Sequence, residues 1–174
     1  MEGQPLVEAL ARRRVALGFV AAAATLALAR PSWSSWRLGL VVAIGGEAVR
    51  LWASGHLEKG REVTRSGPYR FMRHPLYAGS SLIALGIAIA SRSLPVALLT
   101  LVYMATTVAA AVRTEEAFLR RTFGAAYDDY AASRLAPAAR RFSWSRAKRN
   151  REYRAVTGLA IGFALLALRL LVPV

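Results

Sequence analysis

Two charged segments of this sequence carry side chains that could bind a small ionic ligand. The first covers residues 66–79 and places Arg73 and His74 directly before Pro75. Proline is favoured in the first turn of a helix, where unpaired backbone N–H groups stabilise anions. Two basic side chains at this position favour a bound anion such as a carboxylate. The alternative is an arginine at a membrane interface beside a histidine that caps the helix.

The second segment follows a long apolar run and contains the adjacent carboxylates Glu115 and Glu116. Paired carboxylates can accept hydrogen bonds from hydroxyl or ammonium groups and can balance the charge of a sulfonium. Acidic side chains at the C-terminus of a helix oppose its dipole, unless the helix continues into the cytosol. The alternative is a solvated helix face on which Glu116 pairs with Arg120, four residues later.

Two further pairs of side chains lie three residues apart, a spacing that puts both members on one face of a helix. Tyr127 and Tyr130 follow Gly124, which predicts a helix end or a turn. Tyrosines at this spacing more often pack than react. Glu47 and Arg50 lie within an apolar run, where they either neutralise each other or form a functional group inside the membrane.

Composition excludes several kinds of site. The sequence has no cysteine, which excludes thiolate catalysis, thiolate metal ligands and disulfides. With only the histidines His56 and His74, an all-histidine site is not expected, and no metal is predicted. A net charge of +14 would favour nucleic acid in a soluble protein. Here the cations follow the loops between apolar segments, so no nucleic-acid partner is expected, whereas membrane lipids are.

Apolar segments must position these residues, and five are present: 15–29, 38–53, 76–90, 94–112 and 155–172. About 20 apolar residues cross the hydrocarbon core of a membrane, so the shorter segments need part of their flanks. The first segment follows arginines at 12–14 and is interpreted as a retained span rather than a cleaved signal peptide. The expected fold is all-α, a polytopic transmembrane helix bundle of about five spans, forming one membrane domain over residues 1–174.

The basic residues indicate how this bundle is oriented. Most of the 24 lysine and arginine residues fall at 12–14, 59–73 and 113–154, which are alternate loops. The positive-inside rule therefore predicts a cytosolic N-terminus and places both charged segments at the cytosolic face. A short turn at 91–95 joins the third and fourth spans into an antiparallel hairpin, which brings these segments together. The expected location is a bacterial inner membrane, with the site facing the cytosol.

The order of these motifs resembles the isoprenylcysteine carboxyl methyltransferase family, within the wider group that includes phospholipid N-methyltransferases. The resemblance covers about residues 50–141, which form the methyltransferase motif region. Two groups of motifs carry the resemblance, and one hydrophobic hairpin separates them. The first group is Gly67-Pro68-Tyr69-Arg70 and Arg73-His74-Pro75-Leu76-Tyr77-Ala78-Gly79. The second group is Glu115-Glu116 with Leu119, followed by Phe123-Gly124 with Tyr127 and Tyr130.

This resemblance implies S-adenosylmethionine as cofactor, held between the segments before and after the hairpin, and a lipophilic or membrane-embedded methyl acceptor. It implies that Arg73, Arg134 and Glu116 act at the reacting groups. The residues that it implies for cofactor binding are Val63, Gly67, Tyr69, His74, Pro75, Tyr77, Gly79, Glu115 and Glu116. Near the second tyrosine the spacing departs from the family pattern at Arg134, Pro137, Arg140 and Arg141, so the arginine that orients the acceptor stays open.

Three acceptor chemistries remain open at this point. A carboxylate is ionised at neutral pH and needs no base, and an arginine can orient it through two hydrogen bonds. An amine or a thiol must first lose a proton. The sequence shows no dedicated base beyond His74 and the glutamates, which favours isoprenylcysteine-type carboxylate O-methylation over phospholipid N-methylation or small-thiol S-methylation. A non-catalytic membrane protein of the same fold is the remaining alternative.

Overall fold

The computed structural model describes residue 18 and residues 20–171, and every regular element in them is a helix. The expected all-α class is therefore confirmed for this part of the chain, while the arginines at 12–14 lie outside it. In chain order the elements are α1 (residues 20–28), α2 (Trp33–Ser54), a short 3-10 helix (Gly67–Arg70), α3 (Pro75–Ser91), α4 (Leu94–Phe123), α5 (Ala125–Ala131), α6 (Trp144–Arg149) and α7 (Tyr153–Leu171).

Two helices, α4 and α7, are long and apolar enough to cross a membrane by length and composition. The 30 residues of α4 extend about 45 Å at 1.5 Å per residue. Its apolar part covers residues 94–112, and residues 113–123 continue beyond it as a charged end. With 17 residues α3 is shorter than a full span, and α2 carries Arg37, Glu47 and Arg50. The count of five spans therefore stays a prediction.

Helices α2 and α3 pack closely because glycines of one helix face glycines of the other. A Cβ atom on Gly46 would lie 2.6 Å from the carbonyl oxygen of Gly79, and one on Gly86 would lie 2.5 Å from that of Gly39. Such distances leave no room for a side chain, so the backbones themselves are in contact. This contact holds the start of α3 beside the end of α2.

A tight turn joins α3 to α4. Arg92 adopts a left-handed conformation with φ +49° at the end of α3, and α4 begins two residues later. The two helices form the expected antiparallel hairpin, so α3 begins where the charged end of α4 lies. We call this end of the bundle, where α2 also ends, the site end.

The chain after α5 returns along the site end before it enters α7. Backbone N–H groups of Ala138 and Ser143 donate to the carbonyl oxygens of Arg65 and Gly55, at 3.2 and 3.0 Å. Helix α7 then packs along α2 and α3 in a small core formed by Ala29, Ala43, Ala90, Phe163 and Leu166. The last segment is thus attached to the loop between α2 and α3 as well as to the bundle.

Candidate functional site

The two charged segments meet at the site end. His74 precedes Pro75 as the N-cap residue of α3, and Glu116 lies on the charged end of α4. Nε2 of His74 is 3.1 Å from Oε1 of Glu116, and Nδ1 is 3.9 Å from Oε2 of Glu115. The hairpin therefore brings the imidazole of one segment against the paired carboxylates of the other.

Glu116 is surrounded by positive charge. Nη1 of Arg73 lies 3.0 Å from Oε1, and Nη2 of Arg120 lies 3.4 Å from Oε2. The hydrogen bond from His74, together with the charges of Arg73 and Arg120, outweighs burial and lowers the pKa of Glu116. Glu116 is therefore ionised at neutral pH and holds Arg73 and His74 in place. It also forms the pair with Arg120 that the alternative of a solvated helix face predicts.

A cavity of about 610 Å³ opens beside this cluster, a volume within the range of small-molecule sites, roughly 300–1,000 Å³. One wall is polar and comes from the loop between α2 and α3, including Glu58, Glu62 and Thr64. The part of the lining that comes from α3 and α4 is more apolar and includes Leu76 and Ala110. The cavity can therefore hold a ligand that is charged at one end and faces apolar surface at the other.

Many of the residues predicted for this site line the cavity. They come from the loop, from the start of α3 and from the charged end of α4, and they are Val63, Tyr69, Arg73, His74, Pro75, Tyr77 and Glu115. Glu116 lies behind this wall, where it holds Arg73 and His74. Their roles stay predictions, but the structure does bring these residues together.

Besides Glu116, three predicted residues are not part of the cavity lining. Gly67 has φ +57°, and a Cβ atom there would lie 2.5 Å from the ring of His56. A Cβ atom on Gly79 would lie 2.5 Å from Cγ of Arg50, so this glycine leaves room for the arginine side chain. Arg134 is 65% exposed and pairs at 2.9 Å with Asp129. These positions give the glycines a packing role and leave Arg134 on the surface.

Tyr127 belongs to the cavity lining, although its spacing from Tyr130 predicts a packing role. The residue is fully buried, and its Oη has no hydrogen-bond partner among the described residues. Its neighbour Tyr130, in contrast, donates to the carbonyl oxygen of Tyr69 at 2.8 Å. Burial raises the pKa of Tyr127 and raises that of Tyr130 to about 12. Both hydroxyls are therefore neutral at physiological pH, and that of Tyr127 keeps an unused hydrogen-bonding capacity among the described residues.

Arg50 is a second cavity residue whose environment the sequence did not show. Its Nη1 donates to Oγ of Ser80 at 2.5 Å. Its Nε lies 2.8 Å from Oε1 of Glu152 and 3.7 Å from Oε2 of Glu47. The sequence indicates only the pair Glu47–Arg50, because no local pattern shows that Glu152, just before α7, contacts α2. The available signal was an ionisable side chain within an apolar segment.

Ion pairs attach the polar wall of the cavity to the chain that follows α5. Nη1 of Arg140 is 2.6 Å from Oε1 of Glu62, and Nη2 of Arg149 is 3.1 Å from Oε1 of Glu58. The side-chain hydrogen bond to Glu62 raises the pKa of Arg140, against the effect of burial. The loop that forms this wall is therefore held by residues far along the chain. Among the described residues, no group of three or more potential ligands could hold a metal ion.

Residues 15–126 match a family model described as phospholipid methyltransferase. The nickel-cobalt-cadmium resistance protein NccN of Alcaligenes xylosoxydans xylosoxydans is 29% identical over 142 residues, covering 73% of this chain and 65% of that protein. The cobalt-zinc-cadmium resistance protein CzcN of Cupriavidus metallidurans is 32% identical over 119 residues, covering 63% and 54%. The chain thus spans less than two thirds of either relative, and no solved structure matches it.

Proposed function

The chain belongs to the phospholipid methyltransferase family, whose model matches residues 15–126, and on that premise we propose that it is an integral membrane methyltransferase that uses S-adenosylmethionine to methylate a lipophilic acceptor. The observation that carries the proposal is the 3.1 Å contact between His74 and Glu116, beside a cavity of about 610 Å³. This contact joins the two segments that are expected to enclose the cofactor.

The groups around the cavity suit S-adenosylmethionine. Glu58, Glu62 and Glu115 offer carboxylates to its ribose hydroxyls and positive charges, while Lys59 and Arg73 offer cations to its carboxylate. The buried hydroxyl of Tyr127 lacks a partner among the described residues, which is the condition expected where a ligand atom completes the hydrogen bond. When bound, the cofactor supplies a methyl group activated by a sulfonium sulfur.

The chain itself contributes position and electrostatics. Holding two reactants at about 3–3.5 Å in the right orientation can lower the activation barrier by ~7–11 kcal/mol. Glu116 fixes His74 and Arg73, while Leu76 and residues of α4 such as Ala110 give the cavity apolar surface. Arg50 lies on the cavity wall with Leu76 and Tyr77, so it is better placed to orient an acceptor than the exposed Arg134.

The acceptor that we propose first is a carboxylate of the isoprenylcysteine type, because an ionised carboxylate needs no base and Arg50 can orient it. The second candidate is a phospholipid amine, which the family's description favours. An amine would have to give up a proton, and Glu115 and His74 are cavity groups able to take it.

We also propose that the bundle crosses a bacterial inner membrane about five times as one domain, with a cytosolic N-terminus and a cytosolic site end. The support is the charge at this end, where basic side chains gather around the cavity and its loop. They include Lys59, Arg73, Arg120, Arg140 and Arg149. Cations on this scale favour the cytosolic side of a membrane.

Calorimetric titration of the detergent-purified protein with S-adenosylmethionine tests the proposal. Saturable binding is expected, weakened about tenfold or more in His74→Ala and Glu116→Ala, because each variant dissolves the contact between the two segments. Asp129→Asn is the matched control, since it removes a carboxylate from the exposed pair with Arg134 and should leave affinity unchanged. Absence of saturable binding by the wild-type protein, or unchanged affinity in both site variants, would contradict the proposal.

Incorporation of a radiolabelled methyl group then identifies the acceptor. Purified protein in vesicles is offered a farnesylcysteine carboxylate, phosphatidylethanolamine or a small thiol in separate reactions. Label in the carboxylate product, lost in Arg50→Gln, is the expected result. Label in the phospholipid would select the amine instead. Cofactor binding without transfer to any of the three would support a non-catalytic member of the family.

A further inference from the structure

A buried carboxylate from outside the family-matched segment contacts the cavity arginine. Glu152 lies between α6 and α7, beyond the matched residues 15–126, and its side chain is only 5% exposed. Its Oε1 is 2.8 Å from Nε of Arg50, closer than the 3.7 Å to Oε2 of Glu47 on the same helix as the arginine. A buried charge of this kind is costly unless it is paired, and Arg50 is the cation that pairs with it.

A hydrogen-bonded turn between α6 and α7 places Glu152 beside Arg50. The N–H of Arg151 donates to the carbonyl of Lys148 and the N–H of Glu152 to that of Ala147, at 2.9 and 3.1 Å. This pattern is a Schellman motif, whose left-handed residue is usually glycine. Here it is Arg151, with φ +60°. Asn150 ties the same turn to the end of α2 by donating to the carbonyl oxygens of Ser54 and Leu57, at 2.8 and 2.9 Å.

These contacts determine which side of the guanidinium remains for a ligand. Oε1 of Glu152 lies against Nε of Arg50 as a charge pair, with neither atom in a hydrogen bond among the described residues. Nη1 donates to Oγ of Ser80, and the arginine side chain lies on the cavity wall. Glu47, on the same helix as Arg50, is the other carboxylate beside the guanidinium, with Oε2 at 3.7 Å from Nε.

We infer that Glu152 is a positioning residue that holds Arg50 toward the methyl acceptor, so that the segment after the family-matched region completes the acceptor side of the site. The inference rests on the proposed function, since Arg50 is the residue through which Glu152 acts. It also gives the turn before α7 a role beyond packing.

Kinetics of the full-length protein in vesicles test this role. Glu152→Gln keeps the size of the side chain and removes its charge. We expect cofactor affinity within about twofold of wild type, but a fall of about tenfold or more in kcat/KM for the acceptor. Glu152→Asp should recover part of the loss. Asp129→Asn, which unpairs an exposed arginine instead, should retain wild-type kinetics.

A double-mutant comparison separates positioning from simple stability. If Glu152 acts through Arg50, then Arg50→Gln combined with Glu152→Gln should be no slower than Arg50→Gln alone. A multiplicative further loss, or unchanged kcat/KM in Glu152→Gln, would overturn the inference. If Glu152→Gln alone does not fold, the double variant can still be compared with Arg50→Gln, because it lacks both buried charges. A wild-type protein that neither binds cofactor nor transfers methyl groups would overturn the proposed function instead.

Discussion

At the residue scale, the two tyrosines of α5 show how the tertiary structure distinguishes a packing side chain from a ligand-binding one. Tyr130 and Tyr127 lie three residues apart, and Tyr127 is buried while Tyr130 is partly buried. The hydroxyl of Tyr130 donates to the carbonyl oxygen of Tyr69, whereas that of Tyr127 has no partner among the described residues. A buried hydroxyl without a partner costs stability, and Tyr127 lies on the cavity wall. We therefore expect its hydroxyl to serve a ligand.

Replacing each tyrosine by phenylalanine should give opposite results. Tyr127→Phe removes an unpaired hydroxyl, so the purified protein should be at least as stable as wild type while its affinity for S-adenosylmethionine falls about fivefold or more. Tyr130→Phe removes the hydrogen bond to the carbonyl oxygen of Tyr69 and should lower the free energy of unfolding by about 1 kcal/mol. Thermal unfolding and calorimetric titration measure both quantities. A less stable Tyr127→Phe with unchanged affinity would show that this hydroxyl only supports packing.

At the scale of elements, the contact between α2 and α3 determines where the site can form. Gly46 faces Gly79 and Gly39 faces Gly86, so the two backbones touch at both levels. This register places Arg50, one turn beyond Gly46, over Gly79, from where it reaches the cavity wall. The glycines therefore position a charged side chain, although they contribute none of their own.

Adding one methyl group at this contact should separate the helices. Gly86→Ala would place its Cβ 2.5 Å from the carbonyl oxygen of Gly39, and overpacking of this kind typically costs about 1–3 kcal/mol. Gly45→Ala is the matched control on α2, because its Cβ would meet no described atom within 4 Å. The control should be neutral or slightly more stable, since alanine is the better helix former. Equal melting temperatures for the two variants would argue against backbone contact at Gly86.

At the scale of the whole molecule, charge and apolar surface lie on different parts of the bundle. Basic side chains gather around the site end, while the apolar part of α4 carries exposed leucines such as Leu98 and Leu101. Exposed apolar side chains along a helix of this length fit a lipid environment. The loop between α2 and α3 and the segment after α5 share ion pairs, so both lie at the site end of the bundle.

Single cysteines can test this orientation directly, because the natural sequence contains none. Ser34 lies at the start of α2 and Ser145 lies on α6 near the site end, and both are exposed. The two variants are Ser34→Cys and Ser145→Cys. In spheroplasts, a membrane-impermeant maleimide should label the cysteine at 34, and should label that at 145 only after the membrane is opened. The reverse pattern would place the N-terminus and the site outside the cytosol.

Much of the site was accessible to sequence reasoning because it is local. Arg73, His74 and Pro75 are adjacent in sequence, Glu115 and Glu116 likewise, and a short hairpin requires their segments to meet. The contribution of Glu152 was not accessible, because its partner Arg50 is distant in sequence and connected only through the path of the last segment. For the same reason, the sequence could not show that Gly79 packs under Arg50 or that Arg134 lies on the surface beside Asp129.

The sequence by itself determined the helical class, the hairpin and the pairing of two charged segments, since these follow from apolar periodicity, turn chemistry and adjacency along the chain. Only the tertiary structure decided which hydroxyl is left without a partner, which arginine reaches the cavity and which carboxylate holds it. Those outcomes depend on contacts between distant residues, and such contacts are determined by how helices pack rather than by any spacing that can be read along the chain.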